Sequence, residues 1–480
     1  MRSRIYLLVS ITLLALIAAV TVACGGGSHQ VSLSNTATVS TTLSDPPTCA
    51  APSGAYSHVY VTISDVQIHT SSTANANDPG WVDLTPSLKS SPKQVDLLAL
   101  GGTGCVLAQL GSNTNIPEGT YQQIRVYLAP NNTSVASNAC GNAGANCVVM
   151  GSTPTALNLS SETQTGIKIP AGQIAGGAFT VAPGENKSLN IDFDACASIV
   201  AQGGNFRLKP TMHAGEVSLV SNAITGQLVD AVTRAPLSSV KEIVALEQKD
   251  ANGIDRVIMQ ITPDATGAFN ICPVPAGTYD VVAVAIVTSG GNASTSYAAT
   301  ITTGVQAGFS LGNILMYAQP GTGTTTQQAT ISGLVSTTTA ANAGTATDVS
   351  VYALQPITTG TTTTSYTIPL AQQQSSSLNL TTASGAGCAA GTDCVQYSLG
   401  VPAVLPYIGA YATTGATYTQ ATGTSVAYTV DTLAFVSGGA ATPSCTPSEL
   451  QVSTTSTNAP LTVTAGQTTT AADTKFTSCQ

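Results

Sequence analysis

Asp192 and Asp194 stand two apart in SLNIDFD (188–194), a segment whose alternation of apolar and polar residues predicts a β-strand. Side chains two apart on a strand share a face, so both carboxylates point the same way. Such close like charges repel unless a cation or a basic side chain lies between them. Calcium is one candidate, with Asp45, Asp65 or a backbone carbonyl completing an oxygen shell. The competing reading pairs the aspartates with Lys168, Arg207 or Lys209, or uses them to cap a turn. No acidic loop of the D-x-[DN]-x-[DN]-G type supports the metal. Aromatic side chains are the other candidate chemistry, because sugars pack on rings with polar edges. Trp81 is the sole tryptophan, in the turn Asp78-Pro79-Gly80-Trp81, and Tyr407 and Tyr411 belong to the densest group of tyrosines. These three are the candidate carbohydrate contacts, weighed against a reading that packs them in a core.

Catalytic signatures are missing from the sequence. There is no G-x-S-x-G elbow and no G-x-x-x-x-G-K loop. The four histidines, His29, His58, His69 and His213, form no pair at metal-ligand spacing. The chain therefore reads as non-catalytic, with no required cofactor.

Eleven cysteines remain to be placed. Cys24 lies at the end of a distinctive leader: Arg2 and Arg4, apolar runs over 5–9 and 13–20, then Thr21-Val22-Ala23-Cys24 and three glycines. That is the charge, core and cleavage layout of a secretory signal. It resembles the lipobox of bacterial lipoproteins, in which the cysteine is lipidated and becomes the first residue of the mature chain. The resemblance implies residues 1–23 as signal peptide, 24–36 as a lipidated tether, and a membrane anchor of more than one chain at Cys24. No aspartate follows Cys24, which favours the outer membrane or cell surface over the inner membrane. Ten cysteines are then left in an exported chain, and an even number in an oxidising compartment reads as disulfides. Spacing favours Cys140 with Cys147, Cys388 with Cys394, and Cys445 with Cys479; Cys49, Cys105, Cys196 and Cys272 stay open.

Composition narrows the class further. Charged residues make up only 8% of the chain, against about 25% in ordinary soluble proteins. Arg2 and Arg4 leave with the signal, so 12 of the 14 basic residues face 23 acidic ones and the mature net charge is −11. A chain so acidic and so poor in lysine has no electrostatic footprint for nucleic acid. The partners that fit are the membrane itself, polysaccharide or other envelope proteins. Length suggests about three domains.

The elements that carry these residues read as all-β. YVTISDVQIH (60–69), QIRVYLA (123–129), SLNIDFD (188–194) and FRLKP (206–210) are strand patterns bounded by turn residues, and VDLLAL (95–100) predicts a single helical turn. Eight blocks resemble a family of bacterial lipoprotein domains known only as domain of unknown function 4382: TTLSDPP (41–47), YVTISDVQIH, Trp81, VDLLAL, IPEGTYQQIRVYL (116–128), GIKIP (166–170), IDFDACASIV (191–200) and RLKP (207–210). They define a first domain over 37–219. Residues 222–318 are similar to the carboxypeptidase regulatory-like module, a prealbumin-like β-sandwich of the carbohydrate-binding-like group. Asp264, Gly267 and Phe269 fill its D-x-x-G-x-F turn, and Pro275, Gly277 and Tyr279 its P-x-G-x-Y turn. A Thr/Gly linker (319–328) precedes an enlarged, diverged second copy over 329–480. In that copy GVPAVLPYIGAYA (400–412) aligns with CPVPAGTYDVVAVA (272–285), and SVAYTVDTLAFV (425–436) falls in an insertion. The expected architecture is tandem antiparallel β-sandwiches in an anchored envelope lipoprotein with a structural, adhesive or ligand-presenting role; the alternative is a carbohydrate-binding surface protein.

Overall fold

Strand after strand in this chain is apolar on alternate residues, and the sheets bury those faces against one another. A computed structural model describes residues 36–45, 50–51, 54–100, 106–159, 162–202, 205–217, 223–238, 240–250, 252–286, 295–320, 328–338, 346–370, 375–379, 393–436, 445, 447, 449–452 and 460–477. Among them the regular structure is almost entirely β, with short 3-10 turns and one four-residue helix, Ala195–Ser198. The turn expected in VDLLAL is the 3-10 turn Leu97–Ala99.

The first region is a sandwich. One sheet has the order Met212–Val217, Asn186–Phe193, Thr36–Ser44, Ala108–Pro117, in which 36–44 runs parallel to 186–193. The facing sheet centres on the long strand His58–His69, flanked by Gln123–Leu128 and Cys147–Met150. Val39, Leu43, Leu189, Ile191 and Phe193 from the first sheet meet Val61, Ile63, Ile124 and Val126 from the second in one core. Alternation sends Thr42, Ser44, Asn190 and Asp192 to the opposite face of the first sheet.

The second region is also a sandwich. Ile224–Asp230 lies between Ala268–Ile271, antiparallel, and Ser310–Met316, parallel. Across the core, Lys241–Lys249 lies between Ile254–Ile261 and Thr278–Ile286, with Thr300–Gln306 beyond. The third region repeats this connectivity. Gln328–Thr338 pairs antiparallel with Asp393–Pro402 and parallel with Thr468–Thr470 and Thr474–Thr477. Ala346–Thr359 lies between Thr362–Ile368 and Val426–Val436.

This pairing corrects the alignment drawn from sequence. The strand equivalent to 278–286 is 426–436, which the sequence placed in an insertion. A tyrosine marks the equivalence: Tyr279 Oη donates to the Pro275 carbonyl at 2.8 Å, and Tyr428 Oη to that of Pro402 at 2.7 Å. Tyr121 makes the same bond to Pro117 in the first region. The inserted piece is instead Tyr407–Ala410, and it pairs parallel with 300–306 of the second region.

On the other edge, 254–261 pairs parallel with 362–368. One sheet therefore runs unbroken from the second region into the third, with third-region strands on both its edges. The strand VVAVAI shows what this requires. Val281, Ala283 and Ala285 face the second region's core, while Val282 and Val284 enter the third's, beside Ile331 and Val351. Full burial of one valine contributes about 1.5–3 kcal/mol, so both faces of this strand hold the regions together. The expected flexible linker falls mostly on residues 321–327, which lie outside the described residues.

Of the expected disulfides, Cys140–Cys147 is formed, with Cα atoms 5.8 Å apart. Cys272, Cys394 and Cys445 are disulfide-bonded; Cys388, Cys479 and Cys24 lie outside the described residues.

Candidate functional site

Asp192 is held by the ladder its strand makes with 36–44. Thr42 Oγ1 donates to Asn190 Oδ1 at 3.0 Å, Asn190 Nδ2 donates to Ser44 Oγ at 2.8 Å, and Ser44 Oγ donates to Asp192 Oδ1 at 2.9 Å. The parallel register brings these residues side by side although they are 148 apart in sequence. Asp45, next along, accepts from the Ala195 amide at 2.9 Å, so two of the sequence blocks, TTLSDPP and IDFDACASIV, meet here. Asp194 Oδ2 accepts from Gln260 Nε2 of the second region at 3.2 Å. Asp45, Asp192 and Asp194 are all buried.

Burial pushes the Asp192 carboxyl well above its ordinary range, and the neighbouring Asp194 pushes it further; burial does the same to Asp45. Asp45 Oδ2 and Asp192 Oδ2 have no hydrogen-bond partner. Through Asp194 and Gln260 this buried group of carboxyls reaches the second region. Among the described residues no group of three or more His, Cys, Asp or Glu side chains is placed to hold a metal ion. Asp65 is engaged elsewhere, 3.2 Å from Lys89 Nζ and accepting from Gln67 at 2.7 Å. Lys209, 1% exposed, donates to the Val349 carbonyl and Ser350 Oγ of the third region at 2.7 and 2.8 Å. Lys168 is pushed down to about 8 by burial and by Arg125.

Trp81 belongs to the first region, Tyr407 and Tyr411 pack against the core of the second, and each is in contact with other side chains. Trp81 donates Nε1 to the Asn75 carbonyl at 2.8 Å, lies 5.0 Å from His69, and carries the Arg125 guanidinium 5.1 Å from its ring centroid. Tyr407 stacks on Tyr317 at 3.6 Å and 6°, and Tyr411 on Phe309 at 5.0 Å. Tyr418, close by, shares a 2.8 Å hydrogen bond with Thr302. These rings clasp the inserted strand to the second region.

A second carboxylate cluster escaped the sequence reading. Register sets Glu247 opposite Asp280, Lys249 opposite Asp255, and Asp255 opposite Tyr366 across the seam. Glu247 is fully buried, accepting from the Thr367 amide at 3.2 Å; burial and then Asp255 raise its carboxyl well above the ordinary range. Asp255 is pushed up to about 7, mainly by burial and then by Asp280. Nearby, Arg256 binds Asp250 at 3.0 Å, Glu449 at 2.6 Å and the fully buried Asp431. Burial pushes the Asp431 carboxyl up, and the Arg256 guanidinium in contact with it pulls it back. In a chain with so few charges, a charged residue inside an apolar run such as KEIVALEQK was the available signal.

Residues 36–210 match the family model "Domain of unknown function (DUF4382)". No curated protein matches the chain. Among solved structures, the TIE protein of Bacillus anthracis aligns at 10% identity and TM-score 0.15, over 92% of this chain and 51% of that one, so the chain spans about half its length. The shaft pilin SpaA of Lactobacillus rhamnosus GG aligns at 13% identity and TM-score 0.17, over 59% and 98%. The minor pilin GBS52 of Streptococcus agalactiae aligns at 10% identity and TM-score 0.15, over 54% and 97%. Likeness at this level assigns neither activity nor partner. No helix among the described residues is long and apolar enough to cross a membrane.

Proposed function

We propose that this chain is a non-catalytic lipoprotein of the cell envelope, acylated on Cys24 and carried at the outer membrane or cell surface, where it serves as a stiff structural or presenting element. The observation that carries the structural half of this reading is the sheet shared by the second and third regions. A continuous hydrogen-bonded sheet resists bending between modules in a way that a linker does not. Two cations also join the regions: Arg256 joins strands of the second and third, and Lys209 joins the first region to the third. The anchoring half rests on the leader and its cysteine. Stacking of Tyr407 and Tyr411 on neighbouring rings favours a packing role for them over the alternative of a sugar platform.

The test is envelope fractionation with mass spectrometry of the amino-terminal peptide. Acyl chains on Cys24, and release of Cys24→Ala from the membrane fraction, support the reading. A bare thiol at position 24 in the mature protein contradicts it.

A further inference from the structure

A groove of about 610 Å³ opens in the first region, between Lys93–Asp96, the start of Ala108–Pro117 and the loop before Cys140. We propose that it binds a neutral oligosaccharide. Tyr60 stands in its wall, half-buried, and Leu88, Pro92 and Leu110 give it an apolar floor. Ser87, Ser91, Gln109 and Ser137 bring hydroxyl and amide groups around that floor. Side chains of this kind both donate and accept, as sugar hydroxyls do. The volume lies within the range of small-ligand sites and suits one or two sugar rings.

Charge selects among ligands. Among the described residues Lys93 is the one charged residue of the lining, and it already donates to the Gln109 carbonyl at 2.7 Å. Among the same described residues the lining holds no carboxylate, which favours an uncharged ligand over a cationic one. An anionic polymer would approach a chain of net charge −9. An uncharged polyhydroxylated ligand meets neither obstacle.

The walls are set before any ligand arrives. Gln94 Nε2 donates to Asn138 Oδ1 and to the Ala145 carbonyl, both at 2.9 Å, and its Oε1 accepts from the Ala139 amide at 2.8 Å. The Cys140–Cys147 disulfide closes the same loop, and Tyr60 packs against it. His58 stacks on Tyr60 at 5.5 Å and is itself held by Asp96 at 2.6 Å. Ser137, in the lining, takes a left-handed backbone with φ of 58°, a conformation that persists where its surroundings hold it. A site fixed in this way loses little entropy on binding.

This inference goes beyond the scaffold reading and does not depend on the anchor. The full chain, purified in detergent, is titrated calorimetrically with cellohexaose, xylohexaose, mannohexaose and maltohexaose, and in parallel with hexagalacturonate and an alternating Thr-Val peptide. At least one neutral hexaose is expected to bind. Tyr60→Leu and, at the exposed rim, Ser91→Trp are each expected to weaken that binding by at least about tenfold, with the unfolding midpoint of Ser91→Trp unchanged. The proposal is overturned if the folded protein binds none of the four at about 10 mM. It is equally overturned if binding survives Ser91→Trp, or if only the acidic sugar or the peptide binds. None of these results bears on acylation at Cys24, which is scored separately.

Discussion

Replacing Asp255 by asparagine should stabilise the protein at pH 8 and do so much less at pH 4.5. Asp255 is 2% exposed, its Oδ2 has no hydrogen-bond partner, and its carboxyl is pushed from 3.8 to about 7. The folded value lies above the unfolded one, so the folded state keeps a proton that the unfolded chain has lost between about pH 4 and 7. The stability linked to that proton is complete below about pH 4 and disappears as pH rises through 7. A shift of about three units corresponds to about 4 kcal/mol at about 1.4 kcal/mol each. Asp280 is raised in the same field, and the surroundings relax around a charge, so about 2 kcal/mol is the expected gain for the asparagine variant at pH 8. Asparagine keeps the shape of the neutral carboxyl and cannot ionise. Urea unfolding of both proteins at pH 4.5, 6 and 8 gives the comparison. A difference between them that stays constant with pH, or an asparagine variant that is weaker at pH 8, would refute the reasoning.

Other substitutions probe the same architecture. Gly267 has φ of +79°, and a Cβ there would sit 2.3 Å from the Leu228 carbonyl oxygen; Gly267→Ala should cost about 3 kcal/mol in urea, and a loss below about 0.5 kcal/mol would show that the turn can move. Arg256→Met leaves the fully buried Asp431 without its cation and should cost about 3–5 kcal/mol, much of it restored in the Arg256→Met/Asp431→Leu double variant; strictly additive losses would contradict the pairing. For the buried Asp45 and Asp192 carboxyls, both pushed up by burial, we expect bound protons rather than calcium. Thermal midpoints should then be indifferent to millimolar calcium or to chelator, with Asp192→Asn at least as stable as the parent at neutral pH. Calcium-dependent stabilisation that Asp192→Asn abolishes would reverse that reading.

Much of the strand content was legible because alternation and turn chemistry are local. Pro275 and Tyr279 marked one such turn correctly, and the structure finds a second in Pro117 and Tyr121. The third such turn was misassigned because Pro402 and Tyr428 are separated by an inserted strand, and spacing alone pointed to Tyr407. VVAVAI carried a stronger hint than the periodicity used: a strand apolar at every position is buried on both faces, which is what sharing a sheet between two cores demands. Pairings such as Ile254 with Ser365 and Thr300 with Tyr407 join residues about a hundred apart, and no local pattern specifies them. Asp192 and Asp194 were visible as a pair, but their surroundings were not, because Ser44 and Gln260 arrive from distant strands. Trp81 gave no sign in sequence of the Arg125 guanidinium that covers it.

The shared sheet is tested most directly by unfolding the second region alone. Residues 222–318 by themselves lose the partners of the 254–261 and 300–306 strands and uncover Ile243, Val282 and Val284. Urea titration followed by near-ultraviolet circular dichroism should give no cooperative transition for that fragment and a single one for residues 222–480. A fragment 222–318 that unfolds cooperatively at the midpoint of the longer one would contradict the account.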